Sequence, residues 1–131
     1  MWTEGQVVIR REVLNDGRAW LEVPVIVVRD DDGAVVATST WIDRPFPHQP
    51  DVAAVQLRGM AVRTDAQGRG LGGVLVAAGA ERARARGARL MWANARDTAL
   101  GFYVAHGFEA VGDGFVTADT CLPHHRVVRH L

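Results

Sequence analysis

Apolar and polar residues alternate along the first half of the chain and then shift to a helical spacing. Gln6 to Leu14 mixes β-branched and charged residues, Asn15-Asp16-Gly17 supplies a turn that tolerates positive φ, and Ala19 to Val28 resumes the extended pattern. Together these predict a hairpin. The acidic run Asp30-Asp31-Asp32-Gly33 cannot pack but can bond its own backbone, so it reads as a second turn before a strand at Ala34 to Ile42. Pro45, Pro47 and Pro50 cannot donate ladder hydrogen bonds, which makes Asp43 to Asp51 a loop on the rim of a sheet, and Ala53 to Val62 returns as a strand. From Gly70 onward Leu71, Val74, Leu75 and Ala78 fall on one helical face, with Glu81, Arg82, Arg84 and Arg86 opposite and Gly87 as the stop. Arg89 to Asn94 has the length of a buried strand. Asp97 is positioned to N-cap a helix that runs to His106 and ends at Gly107. Further strands are predicted near Phe108 to Gly112 and His125 to Leu131. This order implies an α/β (α+β) fold, a mixed and mostly antiparallel sheet flanked by two main helices.

Composition narrows the function classes. At 131 residues the chain is sized for a single domain, with residues 1–52 a strand-rich part and 53–131 the segment that carries the chemistry. All fifteen basic residues are arginine, fifteen acids balance them, and lysine is absent. Zero net charge argues against a nucleic-acid or anionic-membrane binder, whose affinity comes from clustered positive charge. A single cysteine, Cys121, excludes an internal disulfide and a multi-cysteine zinc site, so no metal is expected. With no long apolar stretch and no signal-peptide pattern, a soluble cytoplasmic protein is expected.

The most informative segment runs from Leu57 to Gly73. A strand enters a loop with four glycines in six residues, Gly68, Gly70, Gly72 and Gly73, and the loop opens directly into the amphipathic helix. Residues without side chains let backbone N–H groups converge, and the first turn of a helix has unpaired donors and a positive dipole end, so a phosphorylated ligand is the natural guest. Gly68-x-Gly70-x-x-Gly73 matches a dinucleotide fingerprint numerically, but the residue where an acidic ribose partner belongs is Asn94, and the preceding strands form a meander. A Walker loop needs a lysine, which the chain lacks.

Gln67-x-x-Gly70-x-Gly72 resembles the acyl-CoA-binding motif of the GNAT superfamily of acetyl-CoA-dependent N-acetyltransferases. Leu90-Met91-Trp92-Ala93-Asn94-Ala95-Arg96, followed by Phe102-Tyr103 and Gly107-Phe108, is similar to the family's second cofactor motif. Arg58-Gly59-Met60-Ala61 and Pro123-His124 match a subset of it, so that the resemblance covers roughly residues 53–131. It implies that Met60, Ala61 and Val62 present backbone groups to the pantetheine arm and that Gln67, Gly68, Arg69, Gly70, Leu71, Gly72 and Gly73 bind the pyrophosphate. It further implies that Asn94 bonds the pantetheine or the acceptor, and that Tyr103 gives a proton to the departing thiolate. A phenol with a pKa near ten suits that last role.

On the acceptor side the chain departs from the family. The resemblance implies a glutamate general base on the strand entering the loop in many relatives, whereas here no acid lies between Asp51 and Asp65 and Gln56 occupies that region. Deprotonation of the amine then runs through ordered water or through His124. Arg58 and Arg96 are candidates to bind an acidic group on the acceptor, or else form ion pairs of the surface or sheet. The helices that in the family follow the opening strand have no counterpart in the pattern before Ala66, and Arg11 to Pro50 weakly resembles the β-barrel start of a family of nucleotide-cleaving phosphatases, without its metal-binding acids. The expected activity is acetyl transfer from acetyl-CoA to a primary amine of a small molecule or peptide. A catalytically inactive acyl-CoA-binding module is the alternative. Apolar sheet surface left without covering helices would be covered in a homodimer.

Overall fold

The computed structural model describes the backbone of residues 7–15, 20–118 and 120–131, with side-chain detail from Val25 onward. Seven strands and two α-helices are present among these residues: β1 (Val7–Asn15), β2 (Trp20–Arg29), β3 (Val35–Asp43), β4 (Ala54–Val62), α1 (Leu71–Ala85), β5 (Leu90–Arg96), α2 (Leu100–Ala105), β6 (Glu109–Val116) and β7 (Pro123–His130). The chain divides into two compact units. One takes residues up to Ile42 together with Leu57–Arg82; the other takes Asp43–Gln56 and Ala83–Leu131. No helix precedes Thr64 among the described residues.

In the first unit the strands run in the order β1-β2-β3-β4. β1 and β2 pair antiparallel from Val7↔Val28 to Asn15↔Trp20, as the alternation predicts; the central residues of the predicted turn, Asp16 and Gly17, lie outside the described residues. The second turn forms as its acids dictate. Asp30 accepts hydrogen bonds on its carboxylate from the backbone N–H of Asp32 and Ala34, at 3.0 and 2.9 Å, and Gly33 adopts φ +84°.

The core of this unit forms between β2, β3 and α1. Ile26 and Ser39 are register partners, and two residues further along β3 Trp41 shares the face of Ser39. The Trp41 indole N–H donates to the Ser39 hydroxyl at 2.8 Å, and that hydroxyl donates to the Ile26 carbonyl at 3.2 Å. Every buried polar atom in the chain of three is thereby satisfied. Trp41, 1% exposed, lies against Gly79 of α1, where a Cβ would overlap the indole ring. The buried face of α1 follows from this contact. It comprises Leu71, Leu75, Val76, Gly79, Ala80 and Ala83, while Val74 and Ala78, expected on that face, are half-buried at its margin.

In the second unit the order is β4-β5-β7-β6, with β7 antiparallel to both β5 and β6. Both helices end in the same glycine device. For α1 the N–H of Gly87 (φ +87°) bonds to Arg84 and that of Ala88 to Ala83; for α2 the N–H of Gly107 (φ +88°) bonds to Val104 and that of Phe108 to Tyr103.

Three expectations need correction here. The proline-rich segment is more than a rim loop: Phe46 is 1% exposed and packs on Leu90, Trp92 and Val128, while the Trp92 indole N–H donates to the Arg44 carbonyl at 3.0 Å. Asp97 does not cap α2, because its carboxylate instead lies 2.7 Å from Nδ1 of His125 and a 3-10 turn, Asp97–Ala99, intervenes. β7 begins at Pro123, two residues before the predicted start, and β6 runs to Val116 past a register shift between Val111 and Phe115.

Gly79→Ala is expected to destabilise the protein by about 1–3 kcal/mol, because the added methyl must displace an indole held by its own hydrogen bond. Chemical denaturation monitored by tryptophan fluorescence measures this; unchanged stability would show that the contact does not position α1.

Candidate functional site

In the first unit, β4 delivers Arg58, Met60, Ala61 and Val62 to the glycine loop. Arg58 and Ala61 are exposed, Met60 and Val62 half-buried. The strand end is tied down on both sides. The N–H of Arg63 donates to the Val36 carbonyl at 2.8 Å, and its guanidinium bonds Asp65 and pairs with Asp30 at 3.8 Å. The hydrogen bond from Arg63 holds the Asp65 carboxyl below the usual carboxylate range, so this acid stays ionised and engaged. Ala66, 3% exposed, anchors the following turn, and the Gln67 amide reaches back to donate to the Val62 carbonyl at 3.3 Å.

The loop is thus held at its base and open at its tip. Gly68 and Gly70 adopt φ +80° and +77°, with open space around the position a Cβ would take, so glycine is required there by conformation and not by crowding. Helix α1 starts at Leu71, whose side chain is buried at 2% exposure, and the Val74 N–H bonds back to the Gly70 carbonyl at 3.1 Å. The N–H groups of Leu71, Gly72 and Gly73 therefore have no partner within the helix, and no acid stands in the first turn to compete for them. These donors with the open glycine tip fit an anionic diphosphate.

In the second unit, register assigns the remaining candidates to faces. Asn94 lies opposite Arg126, and Arg96 opposite His124. Directly paired residues share a face, as do residues two apart on one strand, so Asn94, Arg96, His124 and Arg126 form one set. Leu90, Trp92 and Val128, beneath Phe46, continue the same face. His125, Val127 and Arg129 occupy the other face, where α2 lies: the Arg129 guanidinium donates to the His106 carbonyl at the end of that helix at 3.3 Å. The structure therefore brings Asn94, Arg96 and His124 together and places the helix of Tyr103 on the opposite face.

Tyr103 is 8% exposed and packs edge-on against Phe102 and Phe108, with ring centroids at 5.3 and 5.1 Å. It is more buried than a half-exposed helix residue resting on Leu100 would be. The contact with Phe108 is the hydrophobic partner of the helix-ending motif, so Gly107 and Phe108 fix the phenol as well as stopping the helix. Burial raises the Tyr103 pKa above its ordinary value, which keeps the phenol protonated and able to donate.

His124 is 7% exposed within β7 between β5 and β6. Its ring stacks on Phe115 at 5.7 Å, and Nδ1 lies 2.7 Å from the Leu122 carbonyl. A carbonyl can only accept, so Nδ1 carries the proton and, in the neutral ring, Nε2 holds a free lone pair. Gln56, on the acid-free strand β4, is 2% exposed, and its side-chain carbonyl accepts from Arg44 at 3.3 Å. The sequence reading missed Arg126 because the predicted strand began after His124; the alternation of His124, Arg126 and Val128 was the available signal.

A family model described as the acetyltransferase (GNAT) family matches residues 4–108. The chain belongs to the GNAT acetyltransferase family. The match begins far ahead of residue 53, so the strand-rich opening segment belongs to the acetyltransferase domain too and not to a phosphatase barrel. No curated protein sequence matches the chain. Among solved structures, a histone acetyltransferase and related acetyltransferase from Corynebacterium glutamicum is 26% identical with TM-score 0.65, covering 82% of this chain and 64% of that one. A ribosomal-protein-alanine N-acetyltransferase from Brucella melitensis is 25% identical with TM-score 0.65, covering 83% and 69%. The NatC complex bound to Gag peptide and CoA aligns with TM-score 0.71 over 82% of this chain and 70% of that chain; at 13% identity the likeness is one of fold. No helix described in this GNAT chain is long and apolar enough to cross a membrane.

Tyr103 is the chain's only tyrosine, so its phenolate absorbance can be titrated without interference. The midpoint is expected above 10.0, the ordinary value. Because the folded pKa exceeds the unfolded one, the associated stability is present below about pH 10 and is lost as pH rises through the folded value. Tyr103→Phe should remove that alkaline loss in denaturation series; a midpoint at or below the ordinary value would contradict the buried placement.

Proposed function

We propose that the protein transfers an acetyl group from acetyl-CoA to the nitrogen of a primary amine by direct attack. The carrying observation is the glycine loop at the start of α1: its positive-φ glycines and three unpaired N–H groups suit the CoA pyrophosphate. Gln67 through Gly73 would hold that group, with Met60, Ala61 and Val62 presenting backbone groups to the pantetheine. The Val62 carbonyl already accepts from Gln67, so the amide side chain and the strand end act as one support.

Acetyl-CoA supplies an acyl group activated as a thioester. In the overall change a nitrogen–carbon bond forms, the carbon–sulfur bond breaks with its electron pair leaving on sulfur, and the nitrogen loses a proton. Ordered water or His124 Nε2 would accept that proton: the Leu122 carbonyl holds the ring's own proton at Nδ1, and His124 stands on the face opposite the Tyr103 helix. Tyr103, kept neutral by burial, donates to the sulfur as charge develops. Asn94, exposed on the His124 face, is placed to hydrogen-bond the acceptor or the pantetheine amide.

One observation favours the alternative of a CoA-binding module without transfer: β4 offers no carboxylate, and its Gln56 is already engaged by Arg44. Turnover separates the two. With acetyl-CoA and a panel of amines, free CoA release should be measurable, and Tyr103→Phe should lower kcat about 10²-fold while leaving acetyl-CoA affinity within about twofold. Tight cofactor binding with no release for any amine would support the module. Gly70→Ala forces a left-handed residue to carry a Cβ, at about 1–2 kcal/mol, and should weaken acetyl-CoA binding about tenfold by calorimetry. Undiminished affinity would remove the loop from the cofactor site.

A further inference from the structure

The face that carries Asn94 and His124 has an electrostatic peculiarity that acetyl transfer alone does not require. Arg96 and Arg126 stand on it as diagonal neighbours across β5 and β7, about 7–8 Å apart. Neither has a carboxylate partner among the described residues. Of the fifteen acids in the chain, Glu109 and Asp113 lie on β6, the strand beside Arg126, and neither forms an ion pair there. Arg126 is half-buried, and its Nε is buried without a hydrogen-bond partner. Its guanidinium lies over the Phe115 ring, 5.4 Å from the centroid, which holds the planar fork in place.

Two guanidinium groups without a carboxylate partner on one face raise the local positive potential. A carboxylate answers this, since it accepts from forked donors and neutralises charge. The geometry points to Arg96 and Arg126 as the binding site for a carboxylate carried by the acceptor, so that the substrate class is a primary amine bearing a carboxylate. This assignment rests on the acetyl-transfer reading of the same face. Trp92 and Val128 adjoin Asn94 and Arg126 on their strands and are capped by Phe46, which leaves the rows Asn94–Arg126 and Arg96–His124 for the acceptor. His124 lies directly opposite Arg96, so the imidazole and the guanidinium occupy one row of the face. Phe115, stacked on His124 and beneath Arg126, joins the anion-binding and proton-accepting groups into one rigid set.

The test is direct binding, in the presence of CoA, of a panel of N-acetyl amino acids against their matched N-acetyl amino-acid amides, by calorimetry. The acids are expected to bind at least about tenfold more tightly than the amides, as one or two charge-assisted hydrogen bonds provide. Arg126→Gln and the exposed-site variant Arg96→Gln should each reduce that ratio to about threefold or less, and Arg126→Lys should retain part of it. Equal affinities in the unsubstituted protein, binding of neither compound, or a ratio preserved in both glutamine variants would overturn the inference. CoA release with free amino acids and their amides separates it from the reading on which it rests. Equal turnover of acid and amide sinks the carboxylate site and leaves acetyl transfer standing; acid-selective binding without turnover does the reverse.

Discussion

The seat of Trp41 against Gly79 fixes the first unit. An indole occupies a notch that only glycine leaves open, and its N–H reaches the Ser39 hydroxyl, which in turn bonds the Ile26 carbonyl. Packing and hydrogen bonding therefore agree on a single position for α1 over β2 and β3. Because α1 begins directly after the glycine loop, that agreement also sets where the unpaired N–H groups of Leu71, Gly72 and Gly73 are presented. The loop is short and its tip is open, so its direction is inherited from the helix it starts and from the strand end pinned by Arg63 and Gln67.

In the second unit the comparable constraint is the way α2 stops. A six-residue helix has little stability of its own, and the hydrogen bonds from Gly107 and Phe108 supply a defined end to it. The same motif clamps Tyr103 between two aromatic rings, and the burial that results keeps the phenol neutral. A structural requirement and a chemical one are met by the same residues. On the other face of the strands Phe46 covers Leu90, Trp92 and Val128, and it leaves the polar end of the face, from Asn94 to His124, uncovered by its ring.

The sheet face of the second unit thus divides into a capped apolar part and a cationic part. No carboxylate near His124 is needed to orient its ring, because the Leu122 carbonyl does so. An acid placed beside Arg96 and Arg126 would cancel the charge on which the proposed carboxylate site relies. At Arg126 the planar guanidinium both stacks on Phe115 and offers paired donors, which a lysine ammonium would not.

The sequence by itself determined the order of the elements, both glycine stops, the acidic turn at Asp30 and the glycine loop, along with the family to which they belong. Each of these is local: a positive φ, a side chain bonding its own backbone, or a run of one period is written within a few adjacent residues. Tertiary structure decided what depends on distant partners. Asp97 looks like a helix cap until His125, on another strand, takes its carboxylate; Pro45 and Pro47 mark a loop without showing that Phe46 between them enters the core. His124 could be assigned a free Nε2 only once the Leu122 carbonyl was found at its other nitrogen, and Arg126 joined the site only through register with Asn94. A strand's pattern alternates between two faces without telling which neighbour lies across from each residue, and it is that pairing, set by packing across the sheet, that turned scattered polar residues into a site.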